Sequence, residues 1–162
     1  MAFRIGQGID IHQLSSGYEL IIGGIAIPFD KGSKGHSDGD VLFHSIVDAL
    51  LGAMSMGDIG QYFPSSDKKW KGASSHLFLL HALTLLNEKG FKIENIDATI
   101  ILQEPHINRY IPQIKKNLSK ILNLSENFIS VKATTSDHLG FCGRGEGIYA
   151  SAIVLIYEEL SK

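Results

Sequence analysis

Residues 3–12, Phe3-Arg4-Ile5-Gly6-Gln7-Gly8-Ile9-Asp10-Ile11-His12, change character at nearly every second position. Loose alternation has the period of a strand and predicts a first strand over Phe3 to Ile11. Further along, the period changes. From Asp40 to about Ser55, Val41, Leu42, Ile46, Ala49, Leu50 and Ala53 recur at three- and four-residue steps, which predicts a helix. Between the two, Leu20 to Pro28 holds two short apolar runs around Gly23-Gly24, a hairpin signal, and Asp30 to Gly39 reads as a loop.

The remainder keeps interleaving the two periods. Gly57 to Gly72 is irregular. A second helix is predicted over Ser74 to Lys89, with Ser74 or Ser75 as its cap and Gly90 beyond its end. Asn95 to Gln103 reads as a strand, and Pro112 to Asn123 as a helix with proline in its first turn. Phe128 to Thr135 and Ile148 to Tyr157 are the last strands, joined by Gly140-Phe141-Cys142-Gly143-Arg144-Gly145-Glu146-Gly147. Interleaved strands and helices indicate an α/β or α+β layer with helices on one face.

Composition narrows the class. A chain of 162 residues with 44% hydrophobic residues is one globular domain in length. The net charge is -2 and no basic stripe is visible, which argues against a nucleic-acid partner. The longest apolar runs fall short of a membrane span. Cys142 is the single cysteine, so no internal disulfide is possible and a cytoplasmic protein is expected.

Asp10 and His12 stand two apart at the end of a strand, so their side chains share a face and can reach one metal ion. His44 lies on the first helix. Two imidazoles and a carboxylate suit Zn²⁺, and three protein ligands with an open fourth position are the catalytic pattern. The plainer account is a surface aspartate, a core histidine and a helix histidine that never meet. Asp48, one turn beyond His44, is either an orienting partner for the imidazole or a solvated residue. Hydroxyls and free N–H groups after the strand at Thr134, Thr135 and Ser136 suit phosphate oxygens, and Asp137 suits a harder cation such as Mg²⁺. The plainer account there is a polar turn.

Taken in order, these segments closely resemble the 2-C-methyl-D-erythritol 2,4-cyclodiphosphate synthase family. The resemblance rests on Gly8-Ile9-Asp10-Ile11-His12, on Gly35-His36-Ser37-Asp38-Gly39-Asp40-Val41 and on His44. It continues through Asp58-Ile59-Gly60, Phe63-Pro64, Pro112-Gln113 and KATTSDHLGFCGRGEG at Lys132 to Gly147. It covers essentially the whole chain, 1–162, as a single catalytic domain.

The resemblance implies a ferredoxin-like sandwich with a mixed four-stranded sheet, plus a small N-terminal hairpin. It implies intramolecular phosphoryl transfer that turns 4-diphosphocytidyl-2-C-methyl-D-erythritol 2-phosphate into the cyclic diphosphate and CMP. Zn²⁺ would sit on Asp10, His12 and His44, and Mg²⁺ or Mn²⁺ on Asp137. His36 and Thr135 match the residues credited with transition-state stabilisation. Ser37 would fix a phosphate. Asp58, Ile59 and Gly60 would hold the erythritol part, and Phe63, Pro64, Ser65, Ser66 and Asp67 would close over it. Leu102, Gln103, Glu104, Pro105, His106, Ile107 and Asn108, with Thr134 to Asp137, match the cytidine-diphosphate pocket.

The resemblance further implies a homotrimer with active sites at subunit boundaries, with Phe141, Arg144 and Glu146 near the three-fold axis and with Phe141 and Arg144 also among the substrate-binding residues. The chain departs from the family pattern in carrying Asp137 where glutamate is usual, and in retaining only Asp67 of the acidic residues after Phe63-Pro64. Two other functions fit some of the same residues: a metal-dependent nucleotide-diphosphate hydrolase, and a non-catalytic nucleotide sensor.

Overall fold

The computed structural model describes residues 2–159. A five-stranded mixed sheet is covered on one face by helices, and a separate two-stranded hairpin flanks it. The strands are β1 (Phe3–Ser16), β2 (Leu20–Ile22), β3 (Ile25–Ile27), β4 (Lys31–Lys34), β5 (Phe91–Ile101), β6 (Ile129–Thr134) and β7 (Gly147–Glu158). The helices are α1 (Val41–Ala53), α2 (Ile59–Tyr62), α3 (Ser75–Glu88), α4 (Ile111–Leu122) and α5 (Gly140–Gly143). The sheet order is β4-β1-β7-β5-β6, with β2 and β3 forming the hairpin.

The two-layer sandwich matches the expected class, with one strand more in the sheet. Lys31–Lys34, read as loop, pairs antiparallel with Gln13–Ser16. Lysine, glycine and serine carry no strand signal, but the polar end of β1 would otherwise leave its outer ladder unpaired. For the same reason β1 runs on past Ile11. The start of β5 was hidden by a register shift between Ile93 and Asn95. Only β5 and β6 are parallel, and α4 supplies the crossover that parallel neighbours require.

Cross-strand register fixes the faces. The partners Gly6–Val154, Gly8–Ala152, Asp10–Ala150 and His12–Ile148 look toward the helices. The small ones are there for contact. A Cβ on Gly6 would lie 1.8 Å from the Ala49 carbonyl oxygen, and one on Gly8 2.0 Å from that of Ser45. Helix α1 thus rests directly on the backbone of β1. The opposite face leaves Phe3, Ile5, Ile9, Ile11 and Ile153 exposed. The core proper lies between sheet and helices, around Ile46, Leu50, Leu79, Ile100, Ile114 and Val154.

Helix ends follow local chemistry. The Asp40 carboxylate is fully buried and accepts from Leu42 and Phe43 at the start of α1. It also accepts from Gly23 and Gly24, which ties the hairpin to that helix. Asn123 ends α4 in the left-handed region, at φ 50°.

Candidate functional site

Strand parity places Asp10 and His12 on the helix-facing side of β1, and His44 descends onto them from α1. Asp10 Oδ2 lies 3.0 Å from His12 Nε2 and 3.0 Å from His44 Nδ1. The two nitrogens are 3.3 Å apart. Ligands held about 2.0–2.1 Å from a tetrahedral zinc are separated by roughly 3.3–3.4 Å, so this donor set fits such an ion. The His12 Nδ1–H donates to the Lys34 carbonyl at 3.1 Å, which leaves the His12 Nε2 lone pair facing the cluster. Among the described residues it is the one group of three such side chains.

Charge is tuned accordingly. Burial works against ionisation of Asp10, but hydrogen bonds and charge from His12 and His44 hold its carboxyl down at about 2. Burial alone would lower His12; the Asp10 hydrogen bond and charge raise it above its ordinary value instead.

Around the cluster lies a cavity of about 270 Å³, lined by His12, His36, Ser37, His44, Ile59, Gly60, Phe63, Ser65, Trp70 and Phe78. Segment 57–72, read as irregular, forms one wall and is pinned at several points. Phe63 stacks on Phe78 with ring centres 4.3 Å apart, and Trp70 meets Phe63 edge-on at 5.0 Å. The His36 Nε2–H donates to the Asp67 carbonyl at 3.0 Å. Asp58 and Asp67 spend their carboxylates as local caps, accepting from Gln61 and Lys69.

Asp48 is not a partner of His44. Its Oδ1 accepts the Ile59 N–H at 2.7 Å, so it anchors the start of α2. Two residues the sequence left without a role stand behind His44 instead. Ser75 Oγ is 2.8 Å from His44 Nε2, and it hydrogen-bonds the Asp38 carboxylate. The sequence marks Ser75 only as a possible helix cap, and Asp38 only as part of a motif. No spacing rule links residues 38, 44 and 75.

A second cavity, about 100 Å³, is lined by Leu102, Pro105, His106, Ile107, Asn108, Ala133, Thr134 and Thr135. Gln103 turns aside, its Oε1 accepting from the His138 N–H. Asp137 is exposed, at φ 52°. Arg144 forms a two-pronged ion pair with Glu146, at 3.0 and 2.9 Å. The two cavities open at the same end of the sheet, beyond the C-terminal ends of β1, β5 and β6. Strands β7 and β5 separate them, roughly 14 Å at the usual strand spacing. His36 and Thr135 therefore line different cavities within one chain.

Comparisons with known proteins agree with this geometry. The YgbB family model matches residues 3–157. A 2-C-methyl-D-erythritol 2,4-cyclodiphosphate synthase of Clostridium kluyveri is 52% identical over 157 residues, 97% of this chain and 96% of that one. The Plasmodium falciparum IspF–CDP complex has a TM-score of 0.87 at 38% identity, covering 98% of both chains. The bifunctional IspDF of Campylobacter jejuni has a TM-score of 0.94 at 39% identity; the match covers 98% of this chain and 43% of that longer one. Whole-length likeness in sequence and fold, with the Asp-His-His cluster in place, shows that this chain belongs to the YgbB family, that of the 2-C-methyl-D-erythritol 2,4-cyclodiphosphate synthases.

Proposed function

We propose that this chain, as one catalytic domain, converts 4-diphosphocytidyl-2-C-methyl-D-erythritol 2-phosphate into 2-C-methyl-D-erythritol 2,4-cyclodiphosphate and CMP. An oxygen of the 2-phosphate bonds to the β-phosphorus, the bond from that phosphorus to the α-phosphate oxygen breaks, and CMP leaves with the electron pair. This is a phosphorus–oxygen lyase reaction of non-mevalonate isoprenoid biosynthesis. The observation that carries it is the convergence of Asp10 Oδ2, His12 Nε2 and His44 Nδ1 beside a cavity that also holds His36 and Ser37.

Phosphoryl transfer needs positioning and charge neutralisation more than covalent help. Zn²⁺ on Asp10, His12 and His44, and Mg²⁺ or Mn²⁺ against Asp137, would offset the repulsion between the two phosphates. His36 and Thr135 stabilise charge on the transferring phosphoryl oxygens, and Ser37 fixes a phosphate. Ile59, Gly60 and Phe63 shape the erythritol subsite, with Asp58 and Pro64 to Asp67 framing it. The cavity at Leu102 to Asn108 and Thr134 takes the cytidine end. The CDP complex of the Plasmodium falciparum protein supports that choice of nucleotide.

The active unit is a homotrimer with sites completed across subunit boundaries. Two observations support this. The apolar sheet face at Phe3, Ile5, Ile9, Ile11 and Ile153 is exposed in the single chain. The metal cluster and the Thr135 cavity stand apart within one protomer. Phe141, Arg144 and Glu146 lie near the three-fold axis. The protein works in the cytoplasm, a setting that suits its unpaired, buried Cys142; no helix among the described residues is long and apolar enough to cross a membrane.

Product analysis tests the reaction. CMP with a cyclic diphosphate is expected. CMP with a linear phosphate would instead make the chain a nucleotide-diphosphate hydrolase, and no turnover would leave a binding protein.

A further inference from the structure

We propose that Ser75 and the Asp38 carboxylate form a positioning relay that keeps the proton of His44 on Nε2, and so commits Nδ1 as its metal-binding atom. The proposal rests on reading Asp10, His12 and His44 as a metal site.

The argument is a count of protons. Asp38 as a carboxylate can only accept hydrogen bonds. It accepts the Ser75 N–H at 2.9 Å through Oδ2 and contacts the Ser75 hydroxyl through Oδ1. A serine hydroxyl has one proton, and here a charged acceptor takes it. Toward His44, then, Ser75 Oγ has only a lone pair to offer. Nε2 lies 2.8 Å from that lone pair and must carry the hydrogen. A neutral imidazole has one N–H, so with that hydrogen on Nε2 the Nδ1 lone pair is free for a metal.

Nδ1 is the atom 3.0 Å from Asp10 Oδ2 and 3.3 Å from His12 Nε2. His12 presents its own lone pair, because its Nδ1–H is held by the Lys34 carbonyl. Both rings thus turn a nitrogen toward the Asp10 carboxylate; protons there satisfy it in the metal-free protein, and a bound cation replaces them and takes up the two nitrogen lone pairs.

Ser75 is fully buried, and as the first residue of α3 its backbone is fixed by the Ser74 cap. Ser37 Oγ also lies within reach of Nε2, at 3.1 Å, but it is not bonded to a carboxylate and can serve either tautomer. The relay is therefore the part that discriminates. It also joins the loop before α1 to the start of α3, so three separate segments set one ligand atom.

A purely structural role is the competing account, since Ser75 N–H to Asp38 is itself a helix-end bond. Ser75→Ala separates the two: it keeps that backbone bond and removes only the hydroxyl. The readouts are nitrogen NMR of the His44 ring in the zinc-loaded protein and zinc affinity by competition with a chromophoric chelator. In the native chain, His44 is expected as the Nε2–H tautomer alone. In Ser75→Ala, a weakened hydrogen bond at Nε2–H and a loss of zinc affinity of about 10–100-fold are expected. Asp38→Asn, which keeps the volume and removes the charge, should move both readouts the same way and serves if the first variant does not fold.

A native Nδ1–H tautomer overturns the proposal. So does a Ser75→Ala protein with one Nε2–H tautomer and zinc affinity within about twofold of native, whatever its melting temperature. A native protein that binds no zinc overturns the metal reading itself, whereas zinc held equally by native and Ser75→Ala protein overturns the relay alone.

Discussion

Adding one methyl group at Gly8 tests how the Asp10-His12-His44 cluster is built. Gly8 lies on β1 directly under α1, and a Cβ there would sit 2.0 Å from the Ser45 carbonyl oxygen and 2.7 Å from the Ala49 nitrogen. Real Cβ atoms essentially never come closer than 3.0 Å, so in Gly8→Ala the helix must retreat by about 1 Å. Ser45 follows His44, and that ligand moves with it. The 3.0 Å spacing between His44 Nδ1 and Asp10 Oδ2 would open toward roughly 4 Å, beyond what one zinc can span.

Overpacking of this kind costs about 1–3 kcal/mol, and in a chain of this length Tm falls by roughly 2–4 °C per kcal/mol. Zinc affinity should drop by about 10–100-fold, and turnover by about 100-fold. Gly52→Ala is the control. It adds the same methyl to the same helix, where the nearest atom is 3.9 Å away, so it should leave zinc binding intact and stabilise by up to about 1 kcal/mol. The assays are calorimetric unfolding, chelator competition for zinc, and CMP release. If Gly8→Ala binds zinc as the native chain does and melts within about 1 °C of it, the close seating of α1 on β1 does not set the ligand geometry.

Four further outcomes follow from other contacts. Zinc binds neutral imidazole, and because Asp10 raises His12 above its ordinary pKa, protons compete with the metal above the usual imidazole range. Zinc affinity should therefore rise with pH through that range and level off once His12 is neutral; a flat calorimetric profile would refute this. In the metal-free protein Asp10 acts with the opposite sign: its depressed pKa contributes stability present above 3.8 and lost as pH falls toward about 2, which acid unfolding of Asp10→Asn should show. Asp48→Ala removes the acceptor of the Ile59 N–H, so substrate KM should rise by about 10-fold while zinc affinity is unchanged, and lost zinc would return Asp48 to the imidazole. Ile5→Lys with Ile9→Lys places charge on the exposed apolar sheet face and should convert the proposed trimer to monomers by light scattering; an intact trimer would place the interface elsewhere.

Much of this molecule is written locally. The period-two run at Phe3–Ile11 and the helical period after Asp40 set the elements, and caps at Asp40 and Asn123 set two helix ends within a residue or so. Parity alone put Asp10 and His12 on one side, and the motif blocks brought in His44 and the family. Packing decided the rest. By hydrophobicity, Ile5, Ile9 and Ile11 should turn to the core, yet they face outward, because only Gly6 and Gly8 let α1 reach the sheet. The edge strand at Lys31–Lys34 exists because β1 offers it a ladder, with no preference of its own. Asp48 found Ile59 rather than either water or His44, and Ser75 with Asp38 stands behind the imidazole. Such hydrogen bonds join groups far apart in the chain, and their partners are set by which surfaces close together, a quantity that no local period encodes.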